Sequence, residues 1–378
     1  MPYIYCFISS CFFAYKASNV KRKSMMLFYS IIAIMIPSLM GGLRAWHIGV
    51  DIGMYGLPQF WRSLAASSFA EYISVGGRAL HEIGWSFVTY YSTKLFETFN
   101  WNLFVYQIIT NTCVYIGAWK YRKTAPLWLI MLMFFLTQYN WTYTAMRNSV
   151  ANSIVFMGID SLEERRYTKF CVYIACATIF HSSAVVCVVY MLLLHIFITS
   201  DKILGNHQTL KTILLYMSLG LLAVARQIAG ILVGMIPFLS QYQGIAESTI
   251  AGWHGVGWER ALMLSGEAVM FLLYPKGAKR WFINKYEGGA GMFEYCRYIV
   301  FFMVAFRFGV QFFDRAISYL EYVNILILAS LPSFIKEKNL RLAALAAVIG
   351  AALLVWWHFN VYKSRFFGYT YPYSSILD

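Results

Sequence analysis

Five short segments of the sequence carry polar side chains that could do chemistry. In the first segment, Arg44 is followed by Asp51 and Tyr55. An arginine binds phosphate oxygens through two parallel hydrogen bonds, and a tyrosine offers a flat stacking surface, so these residue types suit a sugar–phosphate ligand. Arg44 also follows an apolar helix, where an arginine extends to the membrane surface for purely structural reasons. Both interpretations of Arg44 stay open.

The second and third segments contain Glu82 and Arg147 at the starts of predicted helices. A carboxylate in the first turn of a helix complements the helix dipole. Close to lipid or buried protein, Glu82 would instead have a raised pKa and act as a general base. A cation is disfavoured at a helix N-terminus, whereas backbone N–H groups there attract anions. The position of Arg147 therefore favours an anion-binding role over a structural one.

The fourth and fifth segments contain His181, and Arg307 with Arg315 and Tyr319. His181 lies between two apolar runs, so it is either a satisfied core residue or a titrating site. Arg307 lies near the predicted outer end of a span, where ionisable groups tend to face a cavity. Arg315 either pairs with its neighbour Asp314 or binds an anion. The last residues, 371–377, are expected to pack across the site or to be disordered.

Three of these residues are candidates for a catalytic base: His181, Glu82 and Asp51. We favour His181, because an imidazole titrates near neutral pH without help from its surroundings. The sequence has no P-loop, GxSxG, HExxH, CxxC or DxD motif. We therefore expect no cofactor and no metal at the site, and we expect arginines to balance any phosphate charge.

The composition identifies a membrane protein. The chain has 378 residues, of which 60% are hydrophobic and 13% charged, against about 45–50% and about 25% in soluble domains. This excludes a soluble Rossmann or barrel enzyme, a disordered scaffold and a disulfide-rich secreted domain. The net charge of +14 is explained by basic cytoplasmic loops rather than by nucleic-acid binding.

The apolar runs predict an all-α polytopic protein of about 12 transmembrane helices in one integral membrane domain, residues 1–378. Basic clusters occupy alternate short connections and so assign those connections to the cytoplasm. The opposite, outer face then receives the loops 44–98 and 236–259. Residues 82–98 are interpreted as an interfacial or re-entrant helix. The predicted spans are about 1–15, 24–43, 101–119, 126–143, 147–162, 168–180, 182–199, 211–235, 260–275, 294–313, 315–334 and 340–361.

The order of these short motifs resembles the EpsG family of exopolysaccharide and O-antigen polymerases of the Wzy type. The resemblance runs over nearly the whole chain, and each motif is short, so its specificity comes from their order. The motifs are Arg44 with Ile48-Gly49-Val50-Asp51 and Tyr55, Glu82-x-Gly84, Arg147 to Ala151, Ala177 to Phe180-His181-x-Ser183-Ala184, Arg315 to Tyr319, and Pro372-Tyr373.

The resemblance implies a multi-pass glycosyltransferase of the bacterial inner membrane, with a GT-C-like architecture and an active site facing the periplasm or outside. Its substrates would be oligosaccharides linked to undecaprenyl pyrophosphate in the lipid bilayer, and the reaction would be inverting and independent of metal. On this basis Arg44, Arg147 and Arg315 would hold the pyrophosphate, with Arg307, Tyr55 and Tyr319 as further substrate contacts. A chain-length regulator and a flippase are candidate partners.

Three other functions compete with a polymerase. A glycan ligase would share the donor and differ in its acceptor, and a flippase for lipid-linked oligosaccharides would also need membrane arginines. A flippase is expected to hold charges deep in a central cavity between repeated halves, whereas these residues cluster at one surface and no repeat is visible. A membrane O-acyltransferase would also use a histidine, but the arginines together with Asp51 and Tyr55 favour phosphate–sugar chemistry.

Overall fold

The computed structural model describes residues 2–75, 82–185, 192, 312–363 and 368–377. The regular secondary structure of these residues is helical, apart from one isolated β-bridge, and turns and irregular segments connect the helices. The all-α expectation is confirmed there. The helices are α1 (Pro2–Asn19), α2 (Lys23–Gly42), α3 (Leu57–Ala65), α4 (Phe69–Val75), α5 (Ile83–Phe96), α6 (Phe99–Lys120), α7 (Leu127–Thr137), α8 (Trp141–Thr144), α9 (Met146–Glu163), α10 (Tyr167–Thr178), α11 (Phe312–Ser330) and α12 (Lys338–Trp357).

Several predicted spans correspond to helices, and within the described residues two segments are long and apolar enough to cross a membrane. These are Lys23–Gly42 and Lys338–Tyr362. The predicted span 126–143 is divided into α7 and α8 by a turn at residues 138–140. The predicted spans 211–235 and 260–275, most of the predicted spans 182–199 and 294–313, and the loop 236–259 lie outside the described residues. The number of about 12 spans therefore stays a prediction.

The chain divides into two compact units, Met1–Val186 with Glu321–Asp378, and Cys187–Leu320. These units are defined by contacts and do not test whether the chain forms one integral membrane domain, so that prediction stays a prediction. In the first unit, α6 packs against α2 and α9, and α9 packs against α10. All the contacts described below lie within this first unit.

Polar side chains are buried and apolar ones exposed along several helices of the first unit. Helix α5 exposes a stripe of residues four positions apart, Ile83, Phe87, Tyr91 and Leu95, while its serine and threonine side chains are buried. A soluble protein shows the reverse, so the stripe is suited to lipid. The 14 residues of α5 rise about 21 Å, which is short of the about 30 Å hydrocarbon core. The predicted interfacial segment is thus a short helix with an apolar outer stripe.

The backbone between α2 and α3 is held by the C-terminal residues. It leaves α2 at Leu43, runs to Gly49 and forms a π-helical turn at Ile52–Gly56. Residues 368–377 pair with this segment around Arg44, through an isolated antiparallel bridge between Arg44 and Ser375. The expected packing of the tail against this region is therefore present.

Candidate active site

Glu82 joins Arg147 and His181, which are far apart in the sequence. One carboxylate oxygen, Oε1, lies 2.7 Å from His181 Nδ1, and the other, Oε2, lies 2.5 Å from Arg147 Nη1. Glu82 is 8% exposed and His181 is 7% exposed. Three side chains that were singled out in separate segments of the sequence thus form one buried group, which we call the Glu82 triad.

Backbone contacts bring Glu82 to His181. Glu82 directly precedes α5, and His181 follows α10, where its backbone N–H donates to Ala177 O at 2.9 Å. Gly84 N donates to Ile179 O at 2.8 Å, and a Cβ added at Gly84 would lie 3.0 Å from Ile179 Cγ1. The absence of a side chain at Gly84 therefore lets the two helix ends approach closely enough for the carboxylate to reach the imidazole.

Two aromatic rings surround the Arg147 guanidinium. Arg147 lies in the first turn of α9. Its guanidinium carbon lies 4.3 Å from the centre of the Tyr55 ring and 5.9 Å from the centre of the Trp85 ring. Trp85 in turn stacks on Tyr106, with ring centres 4.0 Å apart. Rings in these positions attract a cation and fix its plane, so Arg147 is oriented as well as paired.

The charge state of Glu82 agrees with only one of its two interpretations, because the general-base interpretation requires a raised pKa. Burial acts to raise the pKa of Glu82, but the His181 hydrogen bond and the Arg147 charge outweigh it, so the pKa lies below its ordinary value. An ionised carboxylate only accepts hydrogen bonds, which requires the proton of His181 to be on Nδ1. In the neutral imidazole Nε2 is then free to accept a proton. The geometry suits Glu82 as the residue that orients His181, rather than as the base.

Arg44 lies beside this group rather than in it. The side chain is fully buried, with Nη1 donating to Gly41 O at 2.5 Å and Nη2 lying 3.3 Å from Met146 Sδ. The guanidinium carbon is 4.5 Å from the centre of the Tyr143 ring. Burial lowers the pKa of Arg44 from its ordinary value, and among the described residues Nε has no hydrogen-bond partner. The structure therefore places Arg44 behind Met146, the residue before Arg147.

The other predicted site residues are distributed along the chain. Asp51 is half-buried and immediately precedes the π-helical turn that carries Tyr55. Arg315 lies in the first turn of α11, and Tyr319 is buried farther along the same helix. Arg307 lies outside the described residues. The Glu82 triad therefore includes three of the predicted residues, with Tyr55 as a fourth in contact.

Trp85 and Tyr106 were not predicted as part of the site. Trp85 lies three residues after Glu82, so its position one turn into α5 was a usable signal. Tyr106 lies in the middle of a long apolar helix, and its sequence context gives no sign of this role. Its hydroxyl donates to Trp85 O at 2.8 Å and so fixes the ring on which Trp85 stacks.

A metal ion is another ligand that such a site could bind. Within the part of the chain that the structure describes, no group of three or more His, Cys, Asp and Glu side chains could hold a metal ion. The Glu82 triad contains two basic groups for a single carboxylate, which favours an anionic ligand over a cationic one. Metal independence stays a prediction.

Comparison with known proteins identifies the family. The family model described as the EpsG family matches residues 26–375, which is nearly the whole chain. No curated protein and no solved structure matches the chain. The matched residues include the complete Glu82 triad and Tyr55, and the resemblance drawn from the short motifs is confirmed. The chain belongs to the EpsG family.

Proposed function

We propose that this membrane protein is a polysaccharide polymerase that transfers a growing glycan from undecaprenyl pyrophosphate to a lipid-linked repeat unit. Membership of the EpsG family implies a polysaccharide polymerase-like function and supports this broad assignment. The observation that carries the reaction itself is the Glu82 triad, in which a carboxylate orients an imidazole beside an arginine. The proposed site faces the periplasm or outside of the bacterial inner membrane.

His181 would act as the base of this reaction. Its Nδ1–H donates to Glu82, so Nε2 can take the proton of the acceptor sugar hydroxyl. The hydroxyl oxygen then bonds to the anomeric carbon of the donor, and the bond from that carbon to the pyrophosphate oxygen breaks. The electron pair leaves with undecaprenyl pyrophosphate. Attack opposite the leaving group inverts the configuration of the anomeric carbon.

Arg147 would stabilise the departing pyrophosphate. One of its nitrogens is bound to Glu82, and its side chain is 20% exposed. A guanidinium has five N–H donors in a planar fork, so the donors not bound to Glu82 can bind phosphate oxygens. A charge that develops in a site poor in water is stabilised strongly by such a fixed donor. Arg307 and Arg315 stay sequence-based candidates for this role, as does Arg44, although the structure buries Arg44 fully behind Met146.

The experiment compares glycan length in cells that lack the native gene. These cells are complemented with wild type, Arg147→Ala, His181→Ala, or Cys171→Ala, an exposed control on the helix that leads to His181. We expect the two site variants to give only single repeat units at normal protein abundance, while the control restores long chains. Long chains from both site variants would refute the proposed site.

The same cells separate a polymerase from a ligase and from a flippase. A ligase would leave polymer length normal and change the attachment of the glycan to its final acceptor. A flippase would change the number of repeat units on the outer face. The proposal predicts that export of single units is normal and that only their joining fails. A chain-length regulator would alter the distribution of lengths without restoring activity to the site variants.

A further inference from the structure

The last described residues, 368–377, form hydrogen bonds with the residues before and after Arg44. We call them the C-terminal strap. Gly49 N donates to Gly368 O at 2.9 Å, and Ala45 N donates to Ser374 O at 3.0 Å. Farther along, the strap donates in return to the end of α2, because Ile376 N lies 3.0 Å from Leu43 O. The strap therefore holds residues 43–49 by main-chain hydrogen bonds at Leu43, Ala45 and Gly49.

Thr370 anchors the strap in the protein interior. Thr370 is fully buried. Its hydroxyl donates to Asn360 Oδ1 at 3.0 Å and accepts from Asn140 Nδ2 at 3.0 Å. Its backbone oxygen accepts from the Tyr3 hydroxyl at 2.6 Å. One residue of the strap thus joins α1, the π-helical turn His358–Tyr362 that follows α12, and the residue before α8. A fully satisfied buried network of this kind fixes one arrangement.

Two glycines let three backbones meet next to the site. Gly49 has φ of +106° and Gly368 has φ of +70°. A Cβ at Gly49 would lie 2.1 Å from Tyr143 O, and a Cβ at Gly368 would lie 2.8 Å from Val50 N. No side chain fits at either position, and both conformations favour glycine. The strap, the segment before Tyr55 and the residues before Arg147 are therefore in direct backbone contact.

We propose that the C-terminal strap is a positioning element of the active site. By fixing Gly49 against the end of α8, it holds the turn that carries Tyr55, whose ring lies on the Arg147 guanidinium. Thr370 and Gly368 are positioning residues, since they act through Tyr55 and touch neither the base nor the arginine. The expected effect of the strap on catalysis rests on the proposed polymerase function. The expected effect of the strap on the turn that carries Tyr55 does not.

The first measurement is hydrogen–deuterium exchange of the purified full-length protein in detergent. Thr370→Val keeps the shape of the side chain and removes its hydroxyl, while Thr370→Ser keeps the hydroxyl. Gly368→Ala introduces a Cβ at the backbone contact. Gly350→Ala is the control, because no described residue lies within 4 Å of a Cβ there. We expect exchange of residues 49–56 to rise about fivefold in Thr370→Val and Gly368→Ala, and to be unchanged in Thr370→Ser and Gly350→Ala.

The second measurement is glycan length for the same variants at matched protein abundance. Shorter chains from Thr370→Val and Gly368→Ala, with rescue by Thr370→Ser, support the inference. Unchanged exchange of residues 49–56 overturns it, whatever the glycan length. Raised exchange with normal chains, while His181→Ala abolishes them, shows that the strap does not position the site. Long chains from His181→Ala count against the proposed function instead, and the exchange result then still decides whether the strap holds the turn.

Discussion

Replacing Glu82 with glutamine removes one negative charge from the Glu82 triad and keeps the size of the side chain. An amide has one acceptor oxygen and one donor nitrogen, whereas the carboxylate accepts from Arg147 and His181 at once. If the amide nitrogen faces Arg147, two donors oppose each other. If it faces His181, the amide donates to Nδ1, and the imidazole must carry its proton on Nε2. The second arrangement removes the proposed base.

The magnitude follows from the burial of the three side chains. Hydrogen bonds to charged groups contribute about 1.5–3 kcal/mol each, and the side chains of Glu82 and Arg147 are only 10% and 20% exposed. Loss of one such bond would lower the free energy of unfolding by about 2 kcal/mol. The wrong imidazole tautomer costs more in activity, and in serine proteases the equivalent change lowers kcat by about 10⁴-fold. We expect Glu82→Gln to lose at least about 100-fold in transfer rate.

The assay is glycan transfer per folded molecule, with Glu71→Gln as the matched control. Glu71 is a carboxylate of the same 44–98 segment that is exposed and binds Ser67 locally. The control should transfer at the wild-type rate. If Glu82→Gln retains a rate within about threefold of wild type at normal abundance, the carboxylate does not orient the base, and the assignment of roles in the triad is wrong.

Three further predictions follow from the same contacts. Because folding lowers the pKa of Glu82, its ionised carboxylate stabilises the folded protein fully at pH values above its ordinary pKa. This stabilisation is lost as the pH falls through the pKa of the folded state. The thermal unfolding temperature in detergent should therefore fall at acid pH, and Glu82→Gln should lack this fall. Tyr55→Phe should transfer normally and Tyr55→Ala about fivefold more slowly, because Tyr55 contacts Arg147 through its ring. Gly84→Ala should abolish long chains on gels. Gly53→Ala should not, because no described residue lies within 4 Å of a Cβ there.

Local chemistry predicted the three residues that form the Glu82 triad, because each has an unusual position. Glu82 and Arg147 lie at helix starts and His181 interrupts an apolar run, and all three meet in the structure. The sequence carries less information about their roles, since the interpretation of Glu82 as a base with a raised pKa did not include its partners His181 and Arg147. The pairing depends on contacts between residues 99 positions apart, and hydrophobic periodicity carries no information about such contacts.

The fold, too, was predictable from the sequence only where local features determine it. The long apolar helices α2 and α12 were predicted close to their observed bounds, because their length and composition suffice. Arg44 was expected to face a ligand, and its burial behind Met146 depends on the packing of a neighbouring helix. The C-terminal strap was foreseen only as a tail near the site. Its anchoring by Thr370 joins three distant parts of the chain and has no local signal.

Whether the Glu82 triad joins lipid-linked repeat units is tested by reconstitution of the purified protein with undecaprenyl-pyrophosphate-linked repeat units. The assay measures both the joined glycans and the released undecaprenyl pyrophosphate. We expect one released carrier for each new glycosidic bond with wild type and with Cys171→Ala, and neither product with His181→Ala or Arg147→Ala. Equal product from all four proteins, or none from wild type despite transport of the units across the bilayer, would contradict this expectation.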